Sequence, residues 1–169
     1  MQECDIRREL MAHAEKKAEE LIHKLKESSL TLALAESCTA GLVSGLLAKT
    51  PGASQVLWGS FVCYTPEAKV SMLGIDREKI MTHGLVSRET AVRMADGALR
   101  TSGADIAASV TGLAGPDGDG SGLPVGTVWA AAAGRGDTKA SEFHFEGARN
   151  TVRLRAAIAV LELIENTLT

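Results

Sequence analysis

Apolar residues recur along residues 5–27 at Leu10, Ala14, Ala18, Leu21 and Leu25, with Met11 and Ile22 beside them. Steps of three and four predict one helix with a single apolar stripe. Charged residues fill its other faces, as on a surface helix packed against a domain. The pattern then shortens. TLALAE (31–36) reads as a strand, AGLVSGLLAK (40–49) as a helix ended by Pro51-Gly52, and VLWGSFVCY (56–64) as a second strand. Pro66 opens a short helix that carries Lys69 and stops near Gly74. Ser87 and Thr90 start a longer one with Ala91, Met94, Ala95, Ala98 and Leu99 inward. DIAASVT (105–111) is a third strand. Residues 125–134 and 138–147 predict a hairpin closed by a tight Gly-Asp turn. A last helix over about 149–168 buries Val152, Ala156, Ala159, Val160, Leu163 and Ile164.

The resulting order is α-β-α-β-α-α-β-β-β-α. Interleaved helices and strands with a terminal hairpin predict an α/β domain with a mixed sheet and helices on both faces. No repeat or linker divides residues 1–169, so one domain is expected, with the helix of residues 1–28 packed on it.

Composition narrows the classes. Hydrophobic residues at 45% and charged residues at 23% describe a globular chain and exclude disorder. A net charge of −3 gives no reason to expect nucleic acid or an acidic membrane as partner. No apolar run approaches the roughly 20 residues of a spanning helix. Three cysteines, Cys4, Cys38 and Cys63, form no CxxC pair, which suggests reduced thiols in the cytoplasm. Glycine is in surplus: six of the 17 lie between Gly112 and Gly126.

Ligands of open α/β sheets bind beyond the carboxyl ends of strands. ESCTAG (36–41), CYTPEAK (63–69) and VTGLAGPDG (110–118) qualify. Ser37 sits at a strand-to-helix turn. It is either an N-cap or a nucleophile flanked by backbone N–H donors that could hold an oxyanion. The turn is not the GxSxG elbow of hydrolases. Cys38 is a rival nucleophile, since a helix start can lower a thiol pKa; without a histidine partner it reads better as a packing residue. Lys69 is either a solvated lysine or a base whose pKa burial lowers. Tyr64 is the sole tyrosine. The 112–126 segment is neither a P-loop nor GxGxxG, and it lacks the closing acid of a calcium loop. Its amides could form an anion-binding concavity, or it is a plain turn. Arg149 stands where the helix dipole disfavours a cation, which points to a phosphate or carboxylate; a surface arginine is the alternative.

Together AESCTAG (35–41), GSFVCYTPEAKVSMLGI (59–75), HGLVSRETAVRMADGAL (83–99), VTGLAGPDG, PVGTVW (124–129) and FEGARNTVR (145–153) resemble the CinA C-terminal domain family, in its stand-alone nicotinamide-nucleotide amidase form. The resemblance runs from about residue 10 to 168. It implies a three-layer α/β/α domain with a five-stranded mixed sheet, and no metal or organic cofactor. It implies hydrolysis of the carboxamide of nicotinamide mononucleotide, with Ser37 as nucleophile and Lys69 as base. Tyr64, expected with them among the catalytic residues, and Thr111, Gly112 and Arg149 match positions that line the family's active site, while backbone N–H groups near Cys38 and Thr39 would hold the oxyanion. Three departures bear on substrate: Ala40 replaces a glycine, Leu123 a lysine and Ala148 an aspartate. The expected partner is a small nucleotide, with no nucleic acid or membrane, and a homodimer is possible. The alternatives are an amidase for another amide and a non-catalytic nucleotide- or partner-binding module linked to competence or DNA damage.

Overall fold

A computed structural model of the protein describes residues 3–134 and 136–168. The chain runs α1 (Glu3–Glu27), β1 (Leu32–Glu36), α2 (Leu42–Ala48), a 3₁₀ turn (Ala53–Gln55), β2 (Leu57–Val62), α3 (Pro66–Leu73), α4 (Arg77–His83), α5 (Arg88–Ser102), β3 (Ile106–Gly112), β4 (Thr127–Ala133), β5 (Lys139–His144) and α6 (Arg149–Glu165). The five strands form one mixed sheet in the order β2-β1-β3-β4-β5. β2, β1 and β3 are parallel, while β4 and β5 are antiparallel additions.

Every residue of β1 is buried, as expected of a central parallel strand covered on both faces. Leu32 and Leu34 face a core made with α1, α2 and α6, together with Ile106, Ala108, Val110, Val128 and Ala130. Ala33, Ala35 and Ala107 face α3, α4 and α5. Ala131 and Ala133 of β4 meet Ala91 and Ala95 of α5. On this second face β1, β3 and β4 present small alanine side chains, which lets α5 approach the sheet closely. The layer is tight enough that a Cβ on Gly97 would stand 2.6 Å from the Leu73 carbonyl oxygen.

The stripe predicted for the first helix is consumed by this core. Ala14, Ala18, Leu21, Ile22 and Leu25 are buried with α6 residues. Two elements escaped the sequence pattern, the 3₁₀ turn and α4. α4 is seven residues long, capped by the Asp76 carboxylate, and buries only Ile80. A helix that contributes one buried side chain leaves almost no periodicity to read. The predicted helix over 40–49 is shorter, Leu42–Ala48. The turn between β4 and β5 falls partly on residue 135, outside the described residues.

Because β1, β2 and β3 are parallel, Glu36, Val62 and Gly112 end together on one edge of the sheet. β4 starts at that edge, and α6 begins five residues after β5 ends there. The segments 37–41, 63–65 and 113–126 and the start of α6 are gathered by topology alone. No helix among the described residues is long and apolar enough to cross a membrane.

Candidate active site

Ser37 extends β1 by one residue. Its N–H donates to the Val110 carbonyl at 3.0 Å, and Cys63 N–H donates to the Glu36 carbonyl at 3.0 Å. The backbone on either side of the serine is therefore locked into the sheet. Its side chain is not the helix cap that a serine at a strand-to-helix turn suggested. α2 starts only at Leu42, with Gly41 as N-cap and no cap from the Gly41 position itself. The cap comes instead from the Glu36 carboxylate, which accepts from the N–H groups of Gly41, Val43 and Ser44 at 3.0 Å each. The Ser37 hydroxyl is left for another partner.

That partner is Lys69. It lies one turn into α3, whose start is set by Pro66 at N1 and by Thr65, which accepts from the Ala68 N–H. Lys69 is 1% exposed. Its Nζ stands 2.9 Å from Ser37 Oγ and 2.8 Å from the Cys63 carbonyl oxygen. Removal from water disfavours its cationic form, and its pKa is lowered below the ordinary lysine value. Neutral, the amine can accept the serine proton at hydrogen-bond distance.

Cys38 behaves opposite to a reactive thiol. It is buried in the α1/α2/α6 core, and burial pushes its pKa up to about 12. Desolvation is the largest influence on it, in keeping with the packing residue expected from the sequence and not with a thiol activated at a helix start. What the Cys38–Thr39 segment offers is backbone. Arg153, from α6, donates Nε to the Cys38 carbonyl at 3.0 Å and Nη2 to the Thr39 carbonyl at 2.7 Å. In a planar trans peptide the carbonyl and the following N–H point in opposite directions. Anchoring the Cys38 carbonyl on Arg153 therefore aims the Thr39 N–H away from it. Ser37 O accepts from Ala40 N at 3.1 Å, which orients the Cys38 N–H in the same way. Neither amide donates to a protein oxygen among the described residues. The Thr39 hydroxyl is fully buried and bonds Glu36 at 2.7 Å, so only its main chain faces a ligand role.

Tyr64 and Arg149, far apart in sequence, meet directly. Arg149 donates Nη2 to the Tyr64 hydroxyl at 2.9 Å and Nη1 to the Gly115 carbonyl at 2.6 Å. The awkward cation at the α6 start thus links the Lys69 segment to the glycine loop. Tyr64 is 51% exposed, and its carbonyl is 3.5 Å from Lys69 Nζ. Ala148, the N-cap of α6, supplies no side-chain cap.

Thr111 and Gly112 are positioned differently from an open ligand wall. Thr111 is buried and its hydroxyl donates to the Leu85 carbonyl at 2.8 Å. A Cβ on Gly112 would meet Val128 Cγ2 at 2.7 Å and the Thr127 carbonyl oxygen at 2.9 Å. Both residues fasten β3 to its neighbours.

The sequence singled out neither Glu36 nor Arg153. Glu36 carried one signal: a lone carboxylate closing the strand LALAE, whose other residues are all apolar.

With this geometry in view, comparison with known proteins is decisive. The CinA C-terminal domain model matches residues 14–168. The chain belongs to the CinA C-terminal domain family. A CinA-like protein from Geobacter sp. strain M21 is 43% identical over 144 residues, covering 85% of this chain and 35% of that protein. This chain spans about a third of the length of such curated relatives. The crystal structure of competence/damage inducible protein CihA from Agrobacterium tumefaciens aligns with a TM-score of 0.87 at 39% identity, covering 90% of this chain and 94% of that one. A competence-damaged protein (CinA) superfamily protein from Escherichia coli aligns with a TM-score of 0.88 at 30% identity, covering 91% and 90%. The CinA domain and its three-layer α/β/α fold with a five-stranded mixed sheet agree with the sequence expectation.

Proposed function

We propose that this CinA domain is a serine amidohydrolase that converts nicotinamide mononucleotide and water to nicotinic acid mononucleotide and ammonia. The observation that carries the reading is the buried Lys69 amine, 2.9 Å from Ser37 Oγ. Burial lowers the lysine pKa, so the neutral base is accessible. Lys69 takes the Ser37 proton as Oγ bonds to the carboxamide carbon, and the carbonyl π electrons move to oxygen. The Cys38 and Thr39 N–H groups receive that oxyanion. Such a donor is worth about 3 kcal/mol in other enzymes. Collapse breaks the C–N bond, and the proton on Lys69 leaves with ammonia. Water then attacks the acyl carbon, giving a proton to Lys69; the acyl carbon–Oγ bond breaks, and Lys69 returns that proton to Ser37 Oγ.

Arg149 and Tyr64, joined at 2.9 Å, would hold the substrate's polar end. Arginine suits phosphate because its donors form a fixed fork. The cytoplasm is the compartment this reading takes, consistent with three free thiols.

The test is ammonia release from nicotinamide mononucleotide by purified protein. Wild type should turn over, and Ser37→Ala should lose all measurable turnover while keeping its circular dichroism and melting cooperativity. Activity retained in Ser37→Ala overturns the mechanism. Tight nucleotide binding without turnover in the wild type favours a non-catalytic module, and turnover of another amide alone changes the substrate.

A further inference from the structure

Glu36 is 1% exposed, and five donors converge on its two oxygens. Oε2 accepts from the Thr39 hydroxyl at 2.7 Å and from the Gly41 and Val43 N–H groups at 3.0 Å. Oε1 accepts from the Ser44 N–H and the Ser60 hydroxyl at 3.0 Å each. All five donors are neutral, and three are backbone amides that cannot change polarity. An ionised carboxylate accepts at both oxygens. A glutamine would turn its N–H₂ towards at least one backbone N–H, whichever way it flipped.

The carboxylate also decides which amides remain. Ala40 N–H goes to Ser37 O, Leu42 N–H to Thr39 O and Gly45 N–H to Gly41 O. With Glu36 taking those of Gly41, Val43 and Ser44, each amide from 40 to 45 has an internal acceptor. The amides of Cys38 and Thr39 stay outside this set and directly follow the serine. The backbone reaches this arrangement through two consecutive left-handed residues, Ala40 at φ 48° and Gly41 at φ 89°. An L-residue in that region is unfavourable unless its surroundings hold it there.

We infer that Glu36 is a positioning residue of the amidase site, whose buried carboxylate folds the 37–44 turn so that the Cys38 and Thr39 amides, and not those of the α2 start, face the reacting carbonyl. This inference rests on the serine amidohydrolase reading. It also closes the α2 N-terminus to anionic ligands, because the carboxylate already occupies its donors. The substrate's phosphate must then be held elsewhere.

The experiment separates the inference from the substrate. Wild type and Glu36→Gln are treated with an alkyl fluorophosphonate, and labelling of Ser37 is followed by intact mass. Ser37 Oγ bonds to phosphorus, fluoride leaves with the P–F electron pair, and the serine proton passes to Lys69. The phosphoryl oxygen occupies the oxyanion position. The same variants are assayed with nicotinamide mononucleotide. Glu36→Gln should label and turn over roughly a hundredfold more slowly, the cost of a reacting group misplaced by about 1 Å. KM should stay within about twofold, because the residue touches no part of the substrate. Melting confirms that the variant is folded at the assay temperature. If it is not, Thr39→Val and Ser60→Ala each remove one hydroxyl donor and should slow labelling roughly threefold or more.

Labelling at the wild-type rate in a folded Glu36→Gln, or in both hydroxyl variants, overturns the inference. A rise in KM that accounts for the whole loss overturns it too. Wild type that labels without hydrolysing the nucleotide removes the substrate assignment and leaves the inference supported by slow labelling of the variant. Wild type inert to both reagents overturns the amidohydrolase reading and the inference together.

Discussion

Two segments leave parallel strands on the same edge of the sheet, and they are built in opposite ways. In the turn after β1, the carboxylate of Glu36 and the guanidinium of Arg153 hold the main chain by five hydrogen bonds, and the Thr39 and Ser60 hydroxyls add two more to the carboxylate. Residues 36–39 are all buried there. In the loop after β3, residues 116–125 are all exposed. That loop is held mainly at its ends, by Arg149 on the Gly115 carbonyl and by Gly126 N–H on the Leu113 carbonyl at 2.7 Å. A few short-range bonds such as Ser121 N–H to Asp119 Oδ1 lie between. The glycine surplus that marks the loop in the sequence is therefore not where donors are most tightly organised. The proposed chemistry uses the turn where polar groups are buried and partnered, since that is where a group can be aimed.

Lys69→Met would test the rigid side most severely. It should lower turnover nearly as far as Ser37→Ala, because members of one catalytic unit are not additive. It also has a stability signature. The folded-state pKa of Lys69 lies below its ordinary value of 10.5. Between those two values the unfolded chain binds the extra proton, so wild-type stability rises with pH across that window. Below the window the full cost of the buried cation is present, and above it the cost is gone. The melting temperature of wild type relative to Lys69→Met should therefore climb as pH is raised towards 10.5, while kcat/KM of the wild type should rise through the folded-state pKa alone and level off below 10.5. A relative melting temperature that is flat with pH would show that Lys69 is not desolvated.

Arg149→Ala addresses the join between the two segments. It removes the contacts to Tyr64 and Gly115, and should raise KM roughly tenfold with a smaller loss in kcat. Steady-state kinetics would decide, and an effect confined to kcat would place Arg149 in the chemical step instead.

Two glycines sharpen the contrast within a few residues. Gly112→Ala forces a Cβ against Val128 and the Thr127 carbonyl, and should cost about 1–3 kcal/mol. Gly118→Ala meets nothing within 4 Å and should change stability by less than about 0.5 kcal/mol. Denaturant midpoints measure both, and equal costs would mean that the exposed loop is packed as tightly as the strand.

A stabilising change is expected at Ala40. Its φ of 48° is left-handed, and glycine adopts that region without the Cβ clash. Ala40→Gly should stabilise the protein by about 1 kcal/mol and leave turnover near the wild-type level. Thermal melting tests it. A destabilised variant would mean that the Ala40 methyl, exposed as it is, contributes packing that outweighs its strain.

How much of this was legible in the chain varies by residue. The apolar steps of α1, the buried runs of β1 and β3 and the Pro66 helix start could be read directly, since each follows from local periodicity or a fixed proline φ. α4 was hidden because one buried side chain makes no pattern. Ser37 and Lys69 were visible as candidates from their place after strands, but Ser37 was equally readable as a cap. The Glu36 carboxylate, five residues before Gly41, decided between those roles. Thr111 and Gly112 stood out beside the glycine run, and only the packing showed that both also fasten β3 to its neighbours.

The sequence by itself determined the α/β class, the element order and the strand ends at which polar and glycine-rich segments collect. Those depend on interactions between residues a few positions apart. Only the tertiary structure decided that Lys69 is stripped of water and aimed at Ser37, that the Cys38 thiol is buried with its pKa pushed up, and that Tyr64 and Arg149 touch. Each of those depends on burial and on contacts between elements tens of residues apart, and desolvation is a property of the whole packed chain.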